Sequence, residues 1–189
     1  MFSWLKNLQG KVTLKEVLLA KTMAFPGKYL FLPHVLKVSP FCHFIFPMNS
    51  SLHTTATLIS RKVKFECTSR DNPAVIVDYT APIGEGEGYT SLEIFLVSLS
   101  TCVASSVALL LRKKGFTVTG LTVTANGERR EEHPTCFKTI ALDFRLSSPD
   151  LTEQAVTEAL AVSEKNFCPV WAMVKGNVEI NTSFNITRA

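Results

Sequence analysis

The chemistry this chain could perform rests first on its sulfur. Cysteines stand at 42, 67, 102, 136 and 168, and histidines only at 34, 43, 53 and 133. Five cysteines in 189 residues make no disulfide scaffold. His133 and Cys136 form an H-x-x-C pair, but no second pair at zinc spacing accompanies it, so no metal is expected. A C-x-x-C redox motif is absent, and a Ser/His/Asp hydrolase would have no nucleophile elbow to stand on. The loop Gly84–Glu85–Gly86–Glu87–Gly88 lacks the Lys-Ser/Thr of a phosphate cradle, and its two carboxylates would repel phosphate. It reads as a turn.

Two cysteines sit where sulfur could react. Cys102 lies in LSTCVASS, among small residues that permit close approach of a ligand or a partner. Cys168 precedes Pro169 in NFCPVWAM. A residue before proline is pushed out of the helical region, while proline suits the first turn of a new helix, so Cys168 is expected as an N-cap. The positive end of a helix favours thiolate there. The competing reading is equally physical: free cysteine is commonly a small buried hydrophobe. Residue types alone leave both open.

The elements that must position these sulfurs follow from periodicity. Residues 53–68 alternate as two strands about a turn near Arg61, and 73–79 form a short β-branched strand. Residues 91–114 contain neither Gly nor Pro, carry Arg112, Lys113 and Lys114 at the end, and meet Gly115 at the C-cap position, which predicts one long helix. Residues 117–125 and 137–146 alternate again as a hairpin. Asp150 or Thr152 caps a second helix to about Asn166, and 177–187 form a closing strand. The order β-β-β-α-β-β-α-β points to an α+β fold. Residues 92–111 have the length of a membrane span, but Glu93 and five Ser or Thr residues dilute it. A helix apolar nearly all round is expected to be buried, and a dimer that sandwiches it is the natural solution.

Charge divides the chain. Residues 1–47 hold six lysines and one glutamate, whereas 48–189 hold 14 basic and 15 acidic residues. The body therefore has no basic stripe for nucleic acid or an anionic membrane, and neither partner is expected. In 1–47, lysines interrupt the apolar stretches, and prolines at 26, 33, 40 and 47 prevent a long helix. The expectation is an extension, 1–47, ahead of a natural start at Met48, followed by one domain over 48–189.

The run TSLEIFLVSLSTCVASSVALLLRKKG, with SEKNFCPVWAMVKGNVEI 66 residues on from cysteine to cysteine, resembles the OsmC/Ohr family of thiol peroxidases. IVDYTAPIGEGEG and GERREEHP also resemble that family, and the likeness covers about 56–187. The resemblance implies an intertwined α+β homodimer with two central helices. It implies that Cys102 is the peroxidatic thiol and Cys168 the resolving thiol of a cytoplasmic reductase of organic hydroperoxides. Such an enzyme needs no metal, haem, flavin or other cofactor, and a reducing dithiol regenerates it. The alternative within the family is a non-catalytic protein that binds an apolar or electrophilic small molecule at the dimer interface.

Two details depart from the better-characterised peroxidase branch, in which an Arg from the early strands and a Glu at the start of the long helix support the thiol. Arg61 is the candidate for that Arg, with Arg70 the runner-up and a solvated surface Arg the competing reading. The Glu of that branch lies ten residues before the cysteine, where this chain has Leu92. Glu93 lies nine before Cys102, and nine steps of about 100° place it on the opposite helix face. That spacing resembles the less characterised branch.

Overall fold

The computed structural model describes residues 51–189; the expected extension over 1–47 and the start at Met48 lie outside the described residues. Three short strands, β1 (Thr55–Leu58), β2 (Phe65–Thr68) and β3 (Val75–Val77), form an antiparallel sheet in chain order. The long helix α1 (Ser91–Lys113) follows, then β4 (Gly120–Arg129) and β5 (Phe137–Ser147). Helix α2 (Glu153–Val162), a π-helical turn (Ser163–Phe167) and helix α3 (Pro169–Val174) lead to β6 (Glu179–Thr187). The second sheet has the order β4-β5-β6, with β4 antiparallel and β6 parallel to the central β5. The α+β class expected from the sequence is the one observed. The second helix, expected to run to about Asn166, ends at Val162 and gives way to a π turn, and α3 starts at Pro169 behind the expected Cys168 N-cap.

Local chemistry sets these boundaries. Thr90 and Glu93 form a reciprocal capping box at the start of α1: the Thr90 hydroxyl accepts from the Glu93 amide, and the Glu93 carboxylate accepts from the Thr90 amide. The helix stops at Lys114, and Gly115 takes the left-handed conformation, φ +93°, that the C-terminal turn demands. Strand β4 outruns the alternating segment that predicts it and continues through the polar Asn126–Arg129. Its outward residues need no apolar partner, and Glu128 pairs there with Lys138 of β5 at 2.7 Å.

The core lies between the second sheet and the helices. On β5, Ile140, Leu142, Phe144 and Leu146 point inward while Lys138, Ala141 and Arg145 are exposed. Helix α1 buries Leu99, Val103, Ser106, Val107 and Leu111, one stripe at helical spacing, and α2 adds Ala155, Val156, Ala159 and Leu160. The opposite face of α1 is uncovered in the single chain: Val97 is exposed, and Leu109 is 66% exposed. The β1–β3 sheet does not pack extensively on β4–β6 or the helices, and Leu58, Val75, Tyr79, Ile83 and Tyr89 on and beside it are exposed.

The glycine-rich loop closes around Asp78. That carboxylate is fully buried and accepts amide hydrogen bonds from Tyr79 (2.7 Å), Glu85 (3.1 Å) and Glu87 (3.0 Å). Gly84 passes so close that a Cβ would lie 1.9 Å from the Tyr79 carbonyl oxygen. Lys64 pairs with both Glu85 and Glu87. Amides that an anion would need are therefore already engaged by Asp78, and the turn reading is the one the structure supports.

Burial works to raise the Asp78 carboxyl, but the amide donors of Glu87, Tyr79, Glu85 and Gly86 outweigh it and hold it below its ordinary value. A depressed carboxyl stabilises the loop above the ordinary pKa and loses that effect as pH falls through the folded value. Amide exchange at Glu85 and Glu87 should thus stay protected on acidification to about pH 4. In Asp78→Ala the same two amides should exchange about tenfold faster at neutral pH. Hydrogen exchange read by mass spectrometry or NMR checks both outcomes, with β5 amides as the unchanged control.

Candidate functional site

Cys102 and Cys168 reach one another from different kinds of backbone. Cys102 sits near the middle of α1, half-buried beside the Leu99–Val103 stripe. A residue inside a regular helix has its Cα fixed by the whole element, so this sulfur starts from a rigid base. Cys168 sits where two helical segments are broken by proline. The last turn before it widens to a π bond, in which the Cys168 amide donates to the Ser163 carbonyl at 2.9 Å. Pro169 then pushes Cys168 into an extended conformation, φ −90° and ψ 103°, and occupies the first position of α3. The Cys168 Sγ caps that helix by accepting from the Trp171 amide at 3.3 Å.

The two sulfurs lie 2.8 Å apart, with the Cys168 thiol donating toward Cys102, and both cysteines are free thiols. Cys168 is 2% exposed. Burial, first, and the hydrogen bond with Cys102, second, push its pKa up to about 11, against a partial opposing effect of the Trp171 amide. Its helix-capping position, which on its own would favour thiolate, is outweighed by the loss of water. Cys168 therefore stays protonated at neutral pH, and in this geometry it donates toward the Cys102 sulfur. Closing the gap to a disulfide bond of about 2.05 Å needs less than an ångström of movement.

The other candidates lie elsewhere. Arg61 is exposed in the turn between β1 and β2, and Arg70 is exposed after β2; among the described residues neither side chain makes a hydrogen bond or an ion pair. Glu93 is exposed and committed to its capping box, where the Thr90 amide and then its hydroxyl hold the carboxyl below its ordinary value. Cys67 is half-buried in β2, and Cys136 is exposed just before β5. Among the described residues no cluster of three or more His, Cys, Asp or Glu could hold a metal ion.

Sequence reasoning passed over two serines. Ser106 and Ser163 are buried, and their hydroxyl oxygens lie 2.6 Å apart, joining α1 to the π turn. Ser106 also lies 3.0 Å from the carbonyl oxygens of Cys102 and of Val103. A signal was available. Each serine falls on the apolar stripe of its helix, Ser106 between Val103 and Val107, Ser163 after Val156, Ala159 and Leu160. A hydroxyl on a buried stripe must find a partner, and the two stripes face one another.

The family model described as OsmC-like protein matches residues 84–183, a span that includes both cysteines. Protein YhfA of Escherichia coli (strain K12) is 33% identical over 98 residues, which is 52% of this chain and 73% of the relative. A crystal structure of a hypothetical protein from Aquifex aeolicus VF5 superposes with a TM-score of 0.65 at 24% identity, covering 74% of this chain and 98% of that one. The organic hydroperoxide resistance protein OhrB of Bacillus subtilis superposes with a TM-score of 0.53 at 16% identity, over 71% and 98% of the two chains. At these identities the solved structures show a shared α+β fold. Family match, relative and fold agree: the chain belongs to the OsmC-like protein family.

Proposed function

We propose that this chain is a cytoplasmic, cofactor-free thiol peroxidase that reduces organic hydroperoxides through Cys102 and Cys168. The observation that carries the reading is the 2.8 Å approach of two free thiols, one buried and the other half-buried on a rigid helix. Solved structures of the same fold described as organic hydroperoxide resistance proteins support an organic hydroperoxide as the substrate. The chemistry balances without a metal or an organic cofactor. Cys102, as thiolate, attacks the distal oxygen of the hydroperoxide; the O–O bond breaks, an alcohol leaves with a solvent proton, and Cys102 becomes a sulfenic acid. The Cys168 sulfur then attacks the Cys102 sulfur, its proton joins the departing hydroxide as water, and a disulfide forms. A reducing dithiol returns both thiols by exchange. The apolar surroundings of the pair, with Leu99, Val103 and Trp171 in one cluster, suit an organic peroxide better than hydrogen peroxide.

The same reading makes the protein a homodimer. The uncovered face of α1 and the apolar residues of the β1–β3 sheet are of the kind that an obligate interface covers. A second copy would supply both at once. Light scattering at micromolar concentration should give twice the chain mass of 20.9 kDa; a monodisperse monomer would remove the shared-interface reading.

One observation favours the non-catalytic alternative. Glu93 is held in its capping box and Arg61 is exposed on a turn, so neither supports Cys102 within the chain as the corresponding groups do in the peroxidase branch. A chain with that pair left unsupported could instead hold an apolar or electrophilic molecule against the thiols.

Cysteine variants separate the two. Stoichiometric cumene hydroperoxide should consume both thiols and leave a Cys102–Cys168 disulfide, detected by mass spectrometry. Cys102→Ser should abolish peroxide consumption, a loss of at least about 100-fold. Cys168→Ser should allow one turnover and leave a sulfenic acid that dimedone traps and excess peroxide overoxidises. Cys67→Ser and Cys136→Ser should retain full activity. Thiols that survive peroxide unchanged would favour the binding protein, and a trappable sulfenic acid on Cys168 would reverse the assignment.

The titration of Cys168 is a separate check on the site. Thiolate absorbance near 240 nm should show a step for this residue at about 11. Cys102→Ala removes the contribution of the neighbouring sulfur, so the midpoint should fall, yet stay above that of an ordinary thiol because burial is the larger cause. An ordinary midpoint in the wild-type chain contradicts the described pair.

A further inference from the structure

We propose that Ser106 and Ser163 are positioning residues for the cysteine pair, fixing the separation of Cys102 and Cys168 through hydrogen bonds joined by the backbone of Ser163. This rests on reading the two cysteines as a redox pair. Each serine has a single hydroxyl proton, and one arrangement uses both. Ser106 donates to the Cys102 or Val103 carbonyl, 3.0 Å away in each case, and accepts from Ser163 at 2.6 Å. The backbone carbonyl of Ser163 accepts the Cys168 amide at 2.9 Å. The connection therefore begins at the backbone of Cys102 or of its neighbour Val103 and ends at the backbone of Cys168.

Among the described residues the Ser106–Ser163 pair is the one side-chain hydrogen bond from the π turn to α1, with the Cys168–Cys102 contact following at its end; the surrounding core cluster, with Leu99, Val103, Val107 and Leu160, attracts without direction. A buried hydroxyl pair is directional, and with Ser163 fully buried it has no water to exchange with. The π turn is what aims the Ser163 carbonyl at the Cys168 amide while the Ser163 side chain reaches α1. In a regular helix the same carbonyl would bond to the amide of Phe167, and Cys168 would shift by one residue relative to α1. Neither serine hydroxyl is bonded to a sulfur, so their action on the thiols is indirect.

The consequence is a high effective concentration of one thiol at the other. It can be measured without peroxide. The full chain, Ser106→Ala, Ser163→Ala and the double alanine variant are equilibrated in buffers of reduced and oxidised dithiothreitol. A protein thiolate opens the cyclic disulfide, the second protein thiol displaces reduced dithiothreitol, and two electrons pass from the protein to the reagent. The Cys102–Cys168 disulfide is counted by alkylation and mass spectrometry, and urea unfolding is run on the same samples.

Ser106→Ala leaves the buried Ser163 hydroxyl without its acceptor and should be the least stable, Ser163→Ala leaves Ser106 its carbonyl acceptor and should cost less, and the double variant removes both hydroxyls and should recover much of the Ser106→Ala loss. The disulfide equilibrium constant should behave differently, falling on the order of tenfold in all three variants, the double included. A double variant whose constant returns to the wild-type value together with its stability would overturn the positioning role. So would a wild-type chain that forms no Cys102–Cys168 disulfide in this buffer. A wild-type chain that forms it here yet ignores cumene hydroperoxide would instead overturn the peroxidase reading, and the variant series would still decide the role of the serines.

Discussion

The burial of α1 is the constraint on which the described structure depends. Four side chains on its inner stripe, Leu99, Val103, Val107 and Leu111, are fully removed from water. Each contributes roughly 1.5–3 kcal/mol by that removal. The stripe needs partners, which the second sheet supplies: β4 lies against α1 with Leu121, Val123 and Ala125 at the core, and β5 places Ile140, Leu142, Phe144 and Leu146 in the same cluster. It also needs a second wall. Helix α2 can approach closely because Ala155 and Ala159 stand among its contact residues. Once α1 is fixed in this way, the backbone of Cys102 is fixed with it, and the reach of the second sulfur is set by the segment that carries Cys168.

That segment is built from residues that refuse a continuous helix. Pro169 cannot donate to the preceding turn and forces Cys168 out of helical geometry. The π turn absorbs the mismatch between the end of α2 and the start of α3. The result turns the Cys168 sulfur inward, to 2% exposure, rather than out toward solvent. Inward placement also decides its chemistry. The amide of Trp171 and the start of α3 favour charge on sulfur, but the absence of water disfavours it more strongly, and the thiol stays protonated.

Much of this was legible in the residues. The absence of Gly and Pro from 91 to 114 with Gly115 behind it marked α1, and the Cys168–Pro169 step marked a helix start, because both rest on steric rules that neighbours cannot override. What stayed hidden depends on contacts between distant parts of the chain. The π turn is the response of SEKNF to packing against α1, and nothing in those five residues distinguishes it from a last helical turn. The parallel pairing of β6 with β5 is a choice of topology that alternation does not encode. Strand β4 reached four residues past its alternating segment, since a strand with a polar outer face can lengthen wherever its partner continues. Nothing in the sequence sets Asp78 apart within the short strand expected over 73–79. Its role as the acceptor for the following loop appears only when Gly84 is seen to press against it.

The position of Glu93 shows how local structure bears on the chemistry of the pair. Its carboxylate serves the Thr90 amide and hydroxyl, which fixes the register of the first turn of α1 and leaves no capacity to reach a sulfur two and a half turns away on the other face. Among the described residues the Cys102 sulfur has one hydrogen bond, and it comes from Cys168. The thiol read as resolving is then also the polar neighbour of the thiol read as reacting. Such economy ties two properties together that a separate Arg and Glu would keep apart. Whatever moves the π turn changes the reach of the second sulfur and, in the same motion, the hydrogen bond to the first. The segment can therefore not be loosened for easier disulfide closure without also altering the sulfur read as reacting, which is a physical reason for anchoring it from below with a buried pair of hydroxyls.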